Sequence, residues 1–115
     1  MRSTTKVAAT ALAIASLGVA TVAEAQNQTR TRVSISAERN GFEGDVSSRR
    51  DSCVEGRRVT LFQDRRGDDR RIGSDRSNDD GEWSIRTRRE GRFYVRVSET
   101  RRCGSARSRT VRSDD

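Results

Sequence analysis

Apolar and polar residues alternate along most of this chain beyond residue 30, and a period of two is the mark of half-buried β-strands. Val33, Ile35 and Ala37 alternate with Ser34, Ser36 and Glu38. Asn40-Gly41 follows, a strong two-residue hairpin signal. Phe42, Gly44, Val46 and Ser48 resume the alternation, so the first two strands are expected to pair as a hairpin. Val59, Leu61 and Gln63 make a third strand, with Thr60 and Phe62 on its other face. After a charged loop from Asp64 to Arg71 around Gly67, Ile72 and Ser74 read as a short edge strand. Asp79-Asp80-Gly81 is a turn, Trp83 and Ile85 follow at strand spacing, and Glu90-Gly91 turns again. The strongest strand runs from Arg92 to Ser98: Phe93, Val95 and Val97 point one way, Tyr94 and Arg96 the other. A last strand from about Ala106 to Val111 has only those two residues apolar.

No apolar period of 3.6 survives for three turns in this region. Six or seven short strands at roughly ten-residue spacing, with Gly-marked turns, predict an all-β fold, a small antiparallel β-sandwich. Trp83, in register with Ile85, belongs to its core. Tyr94 is out of phase with Phe93 and Val95 and faces the other surface of its sheet. With Phe62 on the equivalent face of a neighbouring strand, it makes Phe62 and Tyr94 the candidate ligand surface, a small exposed aromatic patch suited to a glycan.

The first 25 residues break the pattern. Arg2 and Lys6 form a positive head, Val7 to Val22 an apolar run, and Ala23-Glu24-Ala25 ends it in small-residue spacing. That layout predicts a secretory signal peptide cleaved before Gln26. The run is rich in Ala, contains Gly18 and is shorter than the roughly 20 residues of a spanning helix, so no membrane span is expected after cleavage. The resulting organisation is a signal peptide at 1–25, a flexible N-terminal segment at 26–31, a β-sandwich domain at 32–112 and a tail at 113–115. The expected location is secreted, outside the cell or associated with its envelope.

Export changes the meaning of Cys53 and Cys103, the only cysteines. Disulfides persist outside the cell, and two cysteines permit one intramolecular pairing. A structural bridge would close a 50-residue loop, worth about 4 kcal/mol by the chain-entropy estimate. No Cys-x-x-Cys spacing and no His support a redox or metal site.

Loss of the leader removes Arg2, Lys6 and Glu24 from the 24 basic and 17 acidic residues, leaving 22 and 16 and a net charge of +6. Every remaining basic residue is Arg, and His and Pro are absent. Arg contacts carboxylates and phosphates through a planar, bidentate fork that Lys lacks. It recurs as Arg-Arg pairs, and Arg57, Arg58, Arg88, Arg89, Arg101 and Arg102 are the candidate polyanion contacts. Acids interleave with most of these clusters, and the plainer reading is a soluble, salt-bridge-laced surface.

Catalysis has little to work with: the commonest general base, His, is missing and Ser-Lys chemistry has no Lys after the leader. Asp75, Ser77, Asp79 and Asp80 cluster oxygen, but Gly81 falls one place late for an EF-hand and no Glu stands at the twelfth position. An ordinary turn is expected there. No catalytic residue, metal or cofactor is expected.

The succession Gly44-Asp45-Val46, Cys53, Arg58-Val59-Thr60-Leu61-Phe62, Ile72-Gly73-Ser74-Asp75, Asp80-Gly81-Glu82-Trp83, Gly91-Arg92-Phe93-Tyr94-Val95-Arg96-Val97 and Cys103 resembles a group of small secreted actinobacterial proteins. More distantly it is similar to carboxypeptidase regulatory-like and collagen-adhesin B-repeat domains. The resemblance covers about residues 42 to 111 and implies a prealbumin-like β-sandwich. It also implies a module that binds glycans or proteins, or acts as a spacer, without activity of its own. With no Lys after the leader, the isopeptide staple of some adhesin repeats cannot form.

Together these readings predict a secreted, non-enzymatic β-sandwich module. Its expected role is structural or binding, toward envelope glycan or protein at the cell envelope or outside the cell. The alternative is a basic polyanion-binding protein acting on an acidic wall polymer or extracellular nucleic acid through diffuse Arg charge.

Overall fold

A computed structural model of the chain describes residues 27–113; the expected signal peptide, its cleavage site and the last two residues lie outside them. Nine strands and one 3-10 turn, Asp51–Cys53, are formed among the described residues. The strands are β1 (Arg32–Val33), β2 (Ser36–Glu38), β3 (Gly41–Ser47), β4 (Arg58–Asp64), β5 (Arg70–Arg76), β6 (Glu82–Arg86), β7 (Gly91–Val97), β8 (Ala106–Arg107) and β9 (Val111–Ser113). They build two antiparallel sheets, the expected all-β sandwich. In the smaller sheet β1 and β2 both line one edge of β3, and β6 lines the other. The larger sheet runs β5-β4-β7, with β8 and β9 both along the free side of β7.

Two of the ribbons are interrupted, which raises the strand count above the expected six or seven while leaving seven ribbons. β1 and β2 keep a single register on β3, Val33 opposite Val46 and Ser36 opposite Glu43. Between them the Ser34 carbonyl folds over Gly44. A Cβ at position 44 would stand 2.0 Å from that oxygen and 2.9 Å from the Trp83 ring, so only glycine fits. β8 and β9 are separated by a true bulge: Arg96 faces Arg107, but Phe93 faces Val111, a slip of one residue. Ser108 fills the gap, its N–H donating to the Val95 carbonyl and its Oγ accepting from the Val95 N–H, both at 2.9 Å.

The core lies between the sheets. Ile35, Phe42, Val46, Trp83 and Ile85 from the smaller sheet meet Val59, Leu61, Phe93, Val95 and Val97 from the larger. The Phe42 and Phe93 rings pack across the gap with centroids 4.7 Å apart. Trp83 is 2 % exposed, in the core as its spacing predicted. Both sheet corners are closed by side chains: Asp75 Oδ2 accepts from the Ser84 N–H at 2.9 Å, and Arg109 Nη2 donates to the Ile35 carbonyl at 3.3 Å.

Three local expectations shift. Glu38 pairs with Gly41, so the hairpin loop is Arg39-Asn40 and not Asn40-Gly41. Gly41 is needed for another reason, since a Cβ there would lie 2.3 Å from the Ile85 carbonyl oxygen of β6. β5 is an edge strand as expected but runs seven residues, with a bulge that leaves Ile72 outside the ladder to β4. The described part of the segment before β1, expected to be flexible, is tied down: Thr29 bridges Cys103 in parallel, bonded to the Arg102 carbonyl and the Gly104 N–H at 2.8 Å each. Cys53 and Cys103 are joined in a disulfide with their Cα atoms 5.5 Å apart. The bridge fastens the 3-10 turn to the loop after β7.

Candidate functional site

Adjacent residues in a strand point to opposite faces, and cross-strand partners share one. On β4 and β7, Val59, Leu61, Phe93, Val95 and Val97 point into the core, which sends Arg58, Thr60, Phe62, Arg92, Tyr94 and Arg96 to the outer face of the larger sheet. Register adds the rest. Arg58 stands opposite Arg76, Phe62 opposite Arg71, Arg96 opposite Arg107 and Arg92 opposite Arg112. Seven exposed arginines from five strands therefore occupy one face.

Three of those cross-strand pairs are Arg on Arg, an arrangement that disfavours the fold because the side chains start about 5 Å apart. Carboxylates on the same face are few. Asp64 lies 3.7 Å from Arg92, and Asp69 reaches in from the β4–β5 loop. Arg76 donates to the Gly56 carbonyl at 2.9 Å. Among the described residues, none of Arg58, Arg71, Arg96 and Arg107 has a carboxylate within 4 Å.

The aromatic pair sits in the middle of this face. Phe62 and Tyr94 are brought together as expected, stacked with centroids 5.4 Å apart. They are not an open platform, however. Tyr94 is 4 % exposed: one side of its ring stacks on Phe62, the Arg107 guanidinium carbon lies 3.9 Å from the ring centroid, and its hydroxyl donates to Asp69. Burial, followed by the bond to Asp69, pushes the Tyr94 hydroxyl pKa up.

Arg57 is a correction of another kind. It is 2 % exposed and cannot touch a polymer. Its Nη1 donates to Thr31 Oγ1 (2.9 Å) and the Cys53 carbonyl (2.8 Å), and its Nη2 to the carbonyls of Ser98 (2.9 Å) and Gly104 (2.8 Å). Burial lowers its pKa. Of the other nominated contacts, Arg58 lies on the arginine face. Arg88 and Arg89 are exposed in the loop before β7, and Arg101 and Arg102 in the loop after it. The two loops are at opposite ends of that strand, so the fold does not gather these four into one surface.

The outer face of the smaller sheet is mixed in charge, with Glu38, Glu43, Asp45 and Glu82 beside Arg32 and Arg86. Asp45 stands opposite Glu82 and Glu43 opposite Ser84, with Ser34 and Ser36 beside them along a cleft of about 560 Å³. Asp75, Ser77, Asp79 and Asp80 do not converge. Asp75 holds Ser84 and the buried Ser77 donates to the Val54 carbonyl, while the two remaining carboxylates stand exposed in the turn.

No helix among the described residues is long and apolar enough to cross a membrane. Comparison with family models, with curated proteins and with solved structures returns no match.

Proposed function

We propose that this protein is a secreted, non-enzymatic β-sandwich module that binds acidic polymers through the outer face of its larger sheet. The carrying observation is the register that stands Arg58 opposite Arg76 and Arg96 opposite Arg107 on one surface. Like charges in register strain the free protein, and a polyanion relieves that strain while accepting the forked N–H groups. An acidic wall polymer and extracellular nucleic acid both supply the needed charge. Secretion is supported by the N-terminal layout of the sequence and agrees with the disulfide. The absence of His and the joining of both cysteines argue against an enzyme.

This reading replaces diffuse charge with an organised face, and it displaces the open glycan platform, because the Phe62 and Tyr94 rings already cover one another. The test compares two double variants of equal charge on heparin and on duplex DNA. Arg58→Gln with Arg96→Gln should weaken binding at least tenfold and reduce the log–log salt slope by about 2 on duplex. Arg88→Gln with Arg89→Gln should cost less than threefold. Equal losses from both would show that only total charge matters and would remove the face.

A further inference from the structure

The β4–β5 loop folds back over the centre of the arginine face. Gly67, with φ at +90°, turns the chain, and Asp69 comes to rest at the Tyr94 hydroxyl. One of its carboxylate oxygens accepts the Tyr94 hydroxyl, and the other accepts the Arg65 N–H at 3.3 Å. The Arg107 guanidinium, lying on the Tyr94 ring, stands close by. These neighbours, Tyr94 first, then the Arg65 N–H and more weakly Arg107, hold the Asp69 carboxyl below the usual carboxylate range. An exposed loop thus supplies an oxyanion to a phenol O–H, a backbone N–H and a nearby guanidinium, at the middle of the arginine face.

We propose that Asp69 is an internal stand-in for the ligand. The place its carboxylate occupies is the primary oxyanion subsite of the face, taken over on binding by a phosphate, sulfate or carboxylate group of the polymer. The incoming group displaces Asp69, accepts the Tyr94 hydroxyl and lies beside Arg107 and Arg96. The inference rests on the polyanion reading of this same face and adds to it a point of recognition and a built-in competitor. Exchange is favoured because Asp69 offers one charge on an exposed loop, whereas a polymer that reaches the subsite places further anions over Arg58, Arg71 and Arg92 at the same time. The rings stay paired throughout, so the ligand is held by its charged groups and gains nothing from stacking. Single-stranded nucleic acid should hold no advantage over duplex.

The experiment measures heparin and random-sequence duplex DNA binding by wild type, Asp69→Ala, Tyr94→Phe, the Asp69→Ala/Tyr94→Phe pair and Asp64→Asn. Asp64 lies on the same face, carries the same charge and neighbours Arg92, so its variant reports what a lost carboxylate does when it leaves the subsite untouched. Asp69→Ala should tighten binding about fivefold and Asp64→Asn no more than twofold. Tyr94→Phe should weaken it about threefold and cancel most of the gain from Asp69→Ala. Heparin and duplex separate sulfate and carboxylate sources from phosphodiester ones. Tyr94 is the only tyrosine, so its ring NMR spectrum reports directly on the subsite and should shift as either polymer saturates. Equal gains from Asp69→Ala and Asp64→Asn, additive behaviour with Tyr94→Phe, or an unmoved tyrosine spectrum would each overturn the subsite while leaving the face intact. Failure of wild type and Asp69→Ala alike to bind either polymer would overturn the functional reading and the subsite with it.

Discussion

Arg57 and Arg58 are neighbours in sequence with opposite roles, and the difference follows from strand geometry. Arg58 opens β4 and points to solvent, while Arg57 turns inward beneath the disulfide, where its guanidinium collects acceptors from Thr31, Cys53, Ser98 and Gly104. Among the described residues no carboxylate accompanies it. Four neutral acceptors from four stretches of chain take the place of a counter-ion, and a guanidinium suits this because it stays charged when desolvated and offers a rigid fork of donors. Three of the four acceptors are backbone carbonyls, which no substitution can remove. Arg57→Ala should therefore lose about 3–5 kcal/mol, because an apolar replacement strands buried carbonyls. Arg57→Lys, with a compact ammonium, should lose about 1–3 kcal/mol. Urea midpoints at unchanged m-value give the measurement. An Arg57→Met protein as stable as wild type would mean that the desolvation of the cation outweighs its four bonds.

At the scale of elements, the disulfide and Arg57 act on the same junction. The bridge joins the 3-10 turn to the loop after β7, and Arg57 bonds carbonyls on both sides of it. Replacing both cysteines by serine should cost about 4 kcal/mol for a 50-residue separation. Combined with Arg57→Lys, the total loss should fall short of the sum, because the released loops no longer present their carbonyls. Denaturation of the four proteins in a double-mutant cycle measures that shortfall, and strict additivity would separate the two devices. Much of this architecture was legible in the alternation. Phe93, Val95 and Val97 had one reading, as did Trp83 with Ile85. The interruptions were not legible, because the lift at Ser34 answers to Gly44 and Trp83 across the sheet, and the bulge at Ser108 answers to Val95. The pattern predicts a short β5 because Arg70, Arg71 and Arg76 look like loop, yet an edge strand needs only one partner ladder. The arginine face was hidden for a sharper reason. An Arg-Arg dipeptide in a strand cannot put both side chains on one surface, so the conspicuous pairs point to loops. The face is assembled from arginines four and five residues apart, such as Arg92 with Arg96 and Arg71 with Arg76, brought into register with partners on other strands.

For the whole molecule, the two outer faces differ in sign. Glu38, Glu43, Asp45 and Glu82 outnumber Arg32 and Arg86 on one, and seven arginines lie on the other, where Asp64 and Asp69 oppose them. What sets the pH response of such a molecule is the absence of groups that titrate near neutrality. The described residues contain no His, no Lys and no free thiol, and Arg stays charged throughout. The shifted groups act only at the extremes. Asp69 is depressed by its bonds, so its contribution is present above the unfolded carboxylate value near 3.9 and is lost as pH falls through the lower folded value. Tyr94 is raised, so the fold favours the neutral phenol; that contribution is present below about 10 and is lost as pH rises through the higher folded value. Affinity for a sulfated polymer should therefore be level from about pH 5.5 to 9 at fixed ionic strength. It should fall above about 10, where Tyr94 begins to lose the proton it offers the ligand, and rise in acid, where protonation neutralises Asp69 and not the sulfates. A binding titration across that range checks all three limbs. A step between pH 6 and 7.5 would place control of the face in a group other than its arginines, its tyrosine and its internal carboxylate.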